Sequence, residues 1–371
     1  MKITRLETLY VQPRWVFLKM HTDEGIMGWG EPIVEGWSRT TATAVDEMGR
    51  WLIGKDPRRI EHHWQALYRG AFYRGGPVLC SALSGIEQAM WDITGKCLGV
   101  PVHQLLGGRV RDRIRVYAHV GGSDLEAYAA SGLSALERGF TAVKTSVFGA
   151  VRFVDSPALV DQAVARIAAL RETVGDTVDI GIDFHGRVHP PMAIQLARAL
   201  EPYRPMFIEE PCLPENVDAL ATVARATSIP IATGERLFTR WGFREVLEKQ
   251  AAAILQPDVS HAGGILETRK IAAMAETYYA AIAPHCPLGP ISLAAGLQVD
   301  ACTPNFLCQE QVSLGEGVLK EPFVVEDGHV AVPTGPGLGI EVDEEAVAER
   351  LYDGSFENPR LWHADGSLAD W

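Results

Sequence analysis

The chain has 371 residues, of which 47% are hydrophobic and 22% charged, a composition that suits a globular protein with a barrel and an attached domain. Its net charge of −13 argues against nucleic acid or an anionic membrane as a partner, and no apolar run approaches the roughly 18–20 residues of a membrane span. The six cysteines form no CxxC pair, so we interpret them as free thiols and expect a cytoplasmic protein.

The first part of the chain has the pattern of a small mixed domain. Three short runs broken by Gly and Pro, KITRLETLYVQ, VFLKMHTDEG and MGWGEPI, predict an antiparallel meander. Helical periodicity follows in TATAVDEMGRWLI, EHHWQALYRGAF and ALSGIEQAMWDITGKCLG. We expect residues 1–113 to form an α+β domain, completed by the Gly- and Pro-rich C-terminal tail, residues 319–371, packing back on it.

Residues 114–318 show a different, alternating pattern. Eight β-rich runs are separated by amphipathic stretches, and they read RVYAHV, TAVKTS, VDIGIDFH, PMFIEE, IPIATGE, AAAILQPD, YAAIAPH and NFLCQE. Strands that alternate with helices form parallel sheets, and eight such units predict a barrel of the (β/α)₈ type.

An ionisable residue follows each of the six later strands at nearly constant spacing. These residues are Asp183, Glu209, Glu235, Asp258, His285 and Glu310. The steps between them are 26, 26, 23, 27 and 25 residues, which is about the length of one βα unit when ~200 residues are divided over eight. Active sites of such barrels are built at the carboxyl ends of the strands, so we expect these side chains to meet there.

Three of the six residues form a candidate metal site. Asp183, Glu209 and Glu235 would stand on adjacent strands, where like charges raise one another's pKa unless a cation is bound. An all-oxygen set suits a hard ion, Mg²⁺ above all. The alternative is that each carboxylate separately caps a helix or pairs with an Arg. Spacing alone does not choose between Glu209 and Glu210, because adjacent strand residues face opposite sides.

Histidines supply the candidate acid–base groups. Asp258 and His285 would end neighbouring strands, and a carboxylate on one ring nitrogen orients the imidazole and leaves the other nitrogen as a base. His185 comes two residues after Asp183, and residues two apart on a strand share a face, so we expect it to point into the same cavity.

At these motifs the chain resembles the enolase superfamily and, within it, the mandelate racemase group. The resemblance runs over nearly the whole chain, through SGIEQAMWDITGKCLGVPVHQLLGG, DFHGR, FIEEP, GER, QPDVSHAGGI and APHCPLGP. It implies a modified TIM barrel closed by an N-terminal capping domain. Further motifs, PRWVFLKMHTDEGIMGWGEP, YRGGP and EPYRPMFIEEP, are most similar to those of acid-sugar dehydratases in that group.

The resemblance implies a reaction and roles for the site residues. It implies Mg²⁺ held by Asp183, Glu209 and Glu235, and so selects the first of the two adjacent glutamates. It implies that His285, oriented by Asp258, removes the C2 proton of an acid sugar to give a metal-stabilised enediolate. It implies that His185 is the acid for the departing 3-hydroxyl. The product would be a 2-keto-3-deoxy acid, with D-galactonate as the expected substrate.

The remaining candidate residues would bind that substrate. By the same resemblance, Glu310 would hydrogen-bond a substrate carboxylate oxygen, and Lys144 would lie near it. Ser146 stands where racemising members carry a second base, usually Lys, so racemisation is disfavoured.

The capping domain is expected to supply further substrate contacts. A strongly acidic protein repels an anionic substrate, so local positive charge is needed, and Arg14 and Arg74 are candidates for it. We expect specificity in two capping loops, residues 32–39 and 72–77.

Three alternatives remain open at this stage. The protein could dehydrate another aldonate, or it could be a cycloisomerase or epimerase on the same scaffold. That second class commonly uses lysine bases on strands 2 and 6, and here strand 6 ends in QPD. A non-catalytic binding protein of the same fold would be favoured by loss of a ligand or base, and all are present. We also expect a homo-oligomer, from similarity alone.

Overall fold

The computed structural model describes residues 1–371, and its N-terminal part is the predicted α+β unit. A three-stranded antiparallel sheet comes first, with β1 (Ile3–Val11), β2 (Trp15–Thr22) and β3 (Met27–Gly30) in sequential order. Four helices follow: α1 (Ser38–Leu52), α2 (Ile60–Arg69), α3 (Pro77–Leu98) and α4 (Val102–Leu105). The second helix ends at Arg69, three residues before the predicted end at Phe72, because the chain bends at Gly70.

A parallel sheet of seven strands forms most of the second unit. After a short strand β4 (Arg113–Arg115), its members are β5 (Ala118–His119), β6 (Ala142–Ser146), β7 (Asp179–Asp183), β8 (Phe207–Glu209), β9 (Ile231–Thr233), β10 (Ile254–Leu255) and β11 (Ala281–Ile282). Neighbours in space are neighbours in sequence, from β5 at one edge to β11 at the other. This order is that of a barrel wall, and it confirms the predicted fold class.

An eighth, irregular segment closes the wall. Phe306 forms a parallel bridge with Ile282 of β11. Gln309 forms another with Val116, two residues before β5. The Gln309 N–H donates to Arg115 O at 2.9 Å, and the Leu307 N–H donates to Ile282 O at 2.7 Å. The barrel is therefore a modified one, because the eighth strand is not followed by an eighth barrel helix.

Helices connect the barrel strands in sequence. They are α5 (Leu125–Glu137), α6 (Pro157–Val174), α7 (Pro190–Leu200), α8 (Val217–Arg225), α9 (Thr239–Glu248), α10 (Ile265–Thr277) and α11 (Pro290–Ala301), with a 3₁₀ turn at Glu201–Tyr203. Their starts follow local chemistry: α6, α7 and α11 begin at Pro, while Asp124 and Asn216 cap α5 and α8 through side-chain oxygens. No helix is both long and apolar enough to cross a membrane.

A layer of apolar side chains fills the barrel interior beneath the strand ends. Its members are Tyr117, Ala142, Phe207, Ala232, Ile254, Ala283 and Cys308. Gly181 lies against this layer, where an added Cβ would come within 2.7 Å of the Phe207 ring. Because side chains two residues apart on a strand share a face, Asp183 and Glu209 lie one step above Gly181 and Phe207, on the interior side.

The C-terminal tail returns to the capping domain, as the Gly/Pro-rich pattern predicted. It contains β12 (His329–Ala331), α12 (Glu344–Ala348), β13 (Leu361–Trp362) and β14 (Leu368–Ala369). The Tyr352 N–H donates to Tyr10 O at 3.1 Å, and Arg39 pairs with Asp353 at 3.0 Å. The tail also touches the barrel, because β12 pairs with β4. The division of the chain at residues 113 and 318 stays a prediction.

Two buried glutamates of the capping unit dock onto barrel helices. Glu31, just after β3, accepts the N–H of Gly289 at 2.7 Å and of Ser292 at 2.9 Å, where α11 begins. Glu87, on α3, accepts the N–H of Ile265 at 2.7 Å at the start of α10. Both carboxyls are fully buried. They satisfy backbone donors that a helix start would otherwise leave unpaired, so the two units share one hydrogen-bonded interface.

Candidate active site

Three carboxylates meet at the carboxyl ends of adjacent strands. Asp183 is the last residue of β7, Glu209 is the last of β8, and Glu235 follows β9 by two residues. One oxygen from each lies within 4.8 Å of the others. Asp183 and Glu209 are buried, and the Glu235 side chain is 12% exposed. The strand-end spacing therefore predicted that carboxylates from these three strand ends would come together.

Lys144 contacts two members of this cluster and a fourth carboxylate, Glu310. It is on β6, and its Nζ lies 3.1 Å from Asp183 Oδ2, 2.8 Å from Glu209 Oε2 and 2.9 Å from Glu310 Oε1. Burial opposes a charge on Lys144, but the three carboxylates outweigh it and raise its pKa well above the usual value. Lys144 is therefore an ammonium ion in contact with the cluster.

The single positive charge of Lys144 does not neutralise all the carboxylates around it. The negative charge that remains fits a divalent cation. Burial, with the neighbouring Glu210 carboxylate, raises the pKa of Glu235 to about 8. Burial and the Asp183 carboxylate raise the pKa of Glu209 well above its usual value. Buried carboxylates with raised pKa values and converging oxygens are the donor set of a hard metal ion. The residues present therefore fit a divalent metal.

The adjacent Glu210 is not one of the converging carboxylates. Its backbone is left-handed, with φ of 39°, and its carboxylate pairs with Arg236 at 2.5 and 3.1 Å. Spacing could not decide between the two glutamates. The structure brings Glu209 to the other carboxylates and gives Glu210 its own guanidinium partner.

His285 and Asp258 form a directed pair. His285 Nδ1 lies 2.8 Å from Asp258 Oδ2, while Asp258 Oδ1 accepts the Ser260 N–H at 2.7 Å. The other ring nitrogen, Nε2, lies 3.1 Å from Glu235 Oε2. Burial opposes protonation of the ring, but the surrounding carboxylates, Glu235 first, raise the pKa of His285 well above its usual value.

His185 reaches the cavity by a different route from the one predicted. The strand β7 ends at Asp183, so His185 is not a further strand residue on the same face. Its backbone is left-handed, with φ of 51°, and its N–H donates to Asp183 Oδ1 at 2.8 Å. His185 Nε2 then lies 3.3 Å from Asp183 Oδ2. The expected location is right, but a turn rather than strand alternation produces it.

Glu310 joins the cluster and has a histidine partner that the sequence interpretation missed. His119 Nε2 lies 2.8 Å from Glu310 Oε1, and the Cys286 N–H donates to Glu310 Oε2 at 2.9 Å. Burial opposes a charge on Glu310, but Lys144 outweighs it and holds the pKa of this carboxyl well below its usual value. His119 is the last residue of β5, so looking for an ionisable residue at the end of this strand as well would have found it.

These groups open into one cavity of about 850 Å³ between the barrel and the capping unit. Ser146 and Arg14 line it. Arg14 also donates to Pro287 O at 2.9 Å, beside the loop that carries His285. Arg74 does not line this cavity. It borders a separate surface depression of about 360 Å³ with Tyr73, so the structure does not bring it to the other candidates.

The capping loops contribute unequally to the cavity wall. Residues of the first loop, Val34, Glu35 and Trp37, line it, whereas of the second loop only Pro77 does. Trp371, far along the tail, lines the cavity as well. No local signal in the sequence marked it, because its position depends on the path of the whole tail.

Comparisons with known proteins agree with this geometry. Residues 5–107 match the family model described as the mandelate racemase / muconate lactonizing enzyme N-terminal domain, and residues 127–346 match the enolase C-terminal domain-like model. The chain belongs to the enolase superfamily. The match covers both structural units and confirms the predicted membership in the mandelate racemase group.

Curated relatives match over their full length. The D-galactonate dehydratase of Ralstonia nicotianae is 53% identical over 383 residues, with all of both chains covered. That of Variovorax paradoxus is 52% identical, also with full coverage. Similarity to named dehydratases over every residue makes this chain an enzyme of the hydro-lyase class, as predicted.

Solved structures of the superfamily superpose closely. The mandelate racemase/muconate lactonizing enzyme from a Sulfitobacter species has a TM-score of 0.93 and 36% identity, covering 99% of this chain and 100% of its own. The mandelate racemase/muconate lactonizing enzyme-like protein from a Roseovarius species has a TM-score of 0.92 and 36% identity, with both chains covered completely.

Proposed function

We propose that this protein dehydrates D-galactonate to 2-dehydro-3-deoxy-D-galactonate with the help of Mg²⁺. One observation carries the reaction: two histidines lie beside different members of one buried carboxylate cluster. His285 Nε2 is 3.1 Å from Glu235 and His185 Nε2 is 3.3 Å from Asp183. The two histidines follow β11 and β7, and three other strands lie between these two. The 53% identity with a D-galactonate dehydratase supports the choice of substrate.

Asp183, Glu209 and Glu235 would hold the metal. Mg²⁺ is the ion of choice because all three ligands are carboxylates and none is a thiolate or imidazole. When bound, it supplies positive charge beside the substrate carboxylate, which favours the enediolate.

His285 removes the C2 proton. Its Nδ1–H donates to the Asp258 carboxylate, so Nε2 is the nitrogen that faces the cavity and, in the neutral ring, accepts the proton. Glu235, the carboxylate that most raises the pKa of His285, would be held by the metal. Lys144 is the donor closest to the cluster and would hydrogen-bond a substrate carboxylate oxygen. Glu310 holds Lys144 in place through their ion pair. Because Glu310 is ionised, it can only accept hydrogen bonds, and it would need a proton to bind the substrate carboxylate oxygen directly.

His185 completes the reaction as the acid. The 3-hydroxyl is a poor leaving group, and a proton from His185 Nε2 converts it to water as the C3–O bond breaks. The electrons of the former C2–H bond form the C2–C3 double bond. The resulting enol then gains a proton at C3 and loses one from its C2 hydroxyl, which gives the 2-keto acid and one water per substrate.

A panel of C4–C6 acid sugars tests the proposal, with formation of 2-keto acid as the measurement. D-Galactonate is expected to have the highest kcat/KM. A tenfold higher value for another acid sugar, about 1.4 kcal/mol of transition-state preference, would overturn the substrate and leave the reaction class. If the enzyme epimerised a substrate and formed no keto acid, both the proposed substrate and the dehydratase reaction would be wrong, and the epimerase alternative would be favoured.

A further inference from the structure

The two histidines of the site are held in different ways. Asp258 fixes the ring of His285 by accepting its Nδ1–H at 2.8 Å. His185 has no such partner on Nδ1, which is buried and makes no hydrogen bond with the protein. Its other ring nitrogen, Nε2, lies 3.3 Å from Asp183 Oδ2, but this is the nitrogen that must give its proton to the substrate. An acid must keep its proton aimed at the leaving group, so another contact has to hold the His185 ring.

That contact is Trp371. The centroid of its ring lies 5.4 Å from that of His185 at an interplanar angle of 61°, an edge-to-face arrangement. The Arg187 guanidinium lies 5.7 Å from the same indole ring, within the range of a cation–π contact. Arg187 is itself tied to the barrel, because its Nη1 donates to Phe148 O at 2.9 Å. The indole therefore contacts a ring whose Nδ1 has no hydrogen bond to fix it.

The tail carries Trp371 to this place along the mouth of the cavity. Asn358 donates to Glu35 O at 3.0 Å, which ties the tail to the first capping loop. The β13–β14 hairpin follows, and Trp371 lies two residues after it. Asn358 and Trp371 both line the cavity, so this stretch of tail crosses from the capping side to the barrel side of the site.

We propose that Trp371 is a positioning residue that holds the imidazole of His185 toward the 3-hydroxyl of the substrate. The inference rests on the proposed function, because it assigns Trp371 to the acid step of that dehydration. No hydrogen bond or aromatic contact joins Trp371 to His285 or Asp258, so proton removal at C2 should not depend on it.

The test separates the two proton transfers in three variants. Trp371→Ala removes the ring, Trp371→Phe keeps an aromatic ring, and Trp362→Ala removes an exposed tail tryptophan on β13 as the matched control. Each is incubated with D-galactonate in D₂O. Deuterium at C2 of the recovered substrate reports enediolate formation, and 2-keto acid reports loss of the hydroxyl.

Trp371→Ala is expected to lower kcat for dehydration about 10- to 100-fold, while C2 exchange changes less than about threefold. Trp371→Phe should recover most of the lost rate, and Trp362→Ala should match the wild type. The ratio of exchange to product is the decisive quantity, because a general loss of folding lowers both and leaves the ratio unchanged.

Other outcomes would overturn the inference. An equal fall in exchange and product would make Trp371 a structural element of the tail. A raised KM with unchanged kcat would make it a substrate contact. A wild-type enzyme that forms no keto acid from any acid sugar would instead remove the proposed function, a failure that the first panel detects on its own.

Discussion

Replacing Glu31 should loosen the loop that carries His285. Glu31 belongs to the capping unit, yet both of its carboxyl oxygens accept backbone N–H groups at the start of α11, from Gly289 and Ser292. The two N–H groups follow His285 by four and seven residues. A side chain at residue 289 would place its Cβ 2.6 Å from Glu31 Oε1, so glycine is needed there for this close approach.

The expected loss of stability can be counted from these bonds. Glu31→Ala leaves two buried N–H groups without acceptors, at about 1–3 kcal/mol each, so the total is about 4 kcal/mol. Glu31→Gln keeps one acceptor and turns its NH₂ toward the other N–H, so it should cost about half. With about 2.1 cal/mol/K of unfolding entropy per residue, 371 residues give about 0.8 kcal/mol/K, and the Tm should fall by about 5 °C and 3 °C.

Thermal unfolding at pH 6, followed by circular dichroism, measures both shifts. Glu172→Gln is the control, because Glu172 is exposed on α6 and its replacement should change stability by less than about 0.5 kcal/mol. Activity should fall in the same order, alanine below glutamine, because the loop of His285 moves. Equal Tm values for Glu31→Ala and the control would refute the bond count.

The stability difference between wild type and Glu31→Gln should depend on pH, and the sign of this dependence follows from the pKa of Glu31. Burial raises the pKa of Glu31 to about 8, above its value in the unfolded chain. Between these two pKa values Glu31 is protonated in the folded protein and ionised in the unfolded chain. The contribution of Glu31 to the free energy of unfolding is therefore complete below about pH 4.5 and is lost as the pH rises through 8. The Tm difference between wild type and Glu31→Gln should therefore narrow from pH 6 to pH 9. A difference that widens would contradict the sign.

The remaining predictions concern the cluster itself. Exhaustive chelation should abolish turnover and added Mg²⁺ should restore it, whereas full activity of the metal-free enzyme would end the metal hypothesis. Glu209→Gln should reduce activity more than Glu210→Gln, whose main effect is a lower Tm because Arg236 loses its partner; the reverse order of activities would contradict the assignment. His285→Asn should remove both C2 exchange and product, while His185→Asn should retain exchange and lose dehydration about 10²- to 10⁴-fold. Equal loss of exchange in both variants would refute this division.

Periodicity in the chain was enough to predict the barrel and its strand ends. The wall repeats every 23–27 residues, and a residue at the carboxyl end of each strand must face the same mouth. Asp183 and Glu209 therefore met as expected, on β7 and β8. His185 shows the limit of this reasoning, because the strand had already ended and the left-handed turn that aims the ring has no period.

Contacts between distant segments were beyond the reach of local patterns. The start of α10 is an example, because its Ile265 N–H donates to the carboxyl of Glu87, a residue 178 positions earlier in the chain. Arg74 was expected to contact the substrate because of its charge. Its loop instead places it at the separate surface depression.

The two histidines draw their support from outside the barrel, and this explains why the capping unit and tail accompany it. Glu31 fixes the start of the helix behind His285, and Arg14 donates to Pro287 O within the same loop. On the other side of the cluster, Trp371 of the tail lies against His185. The barrel supplies the carboxylates from rigid strand ends, where charge must be placed accurately. The imidazoles lie on the loops that follow, and segments remote in sequence must cover those loops before either ring can be held in position to transfer a proton.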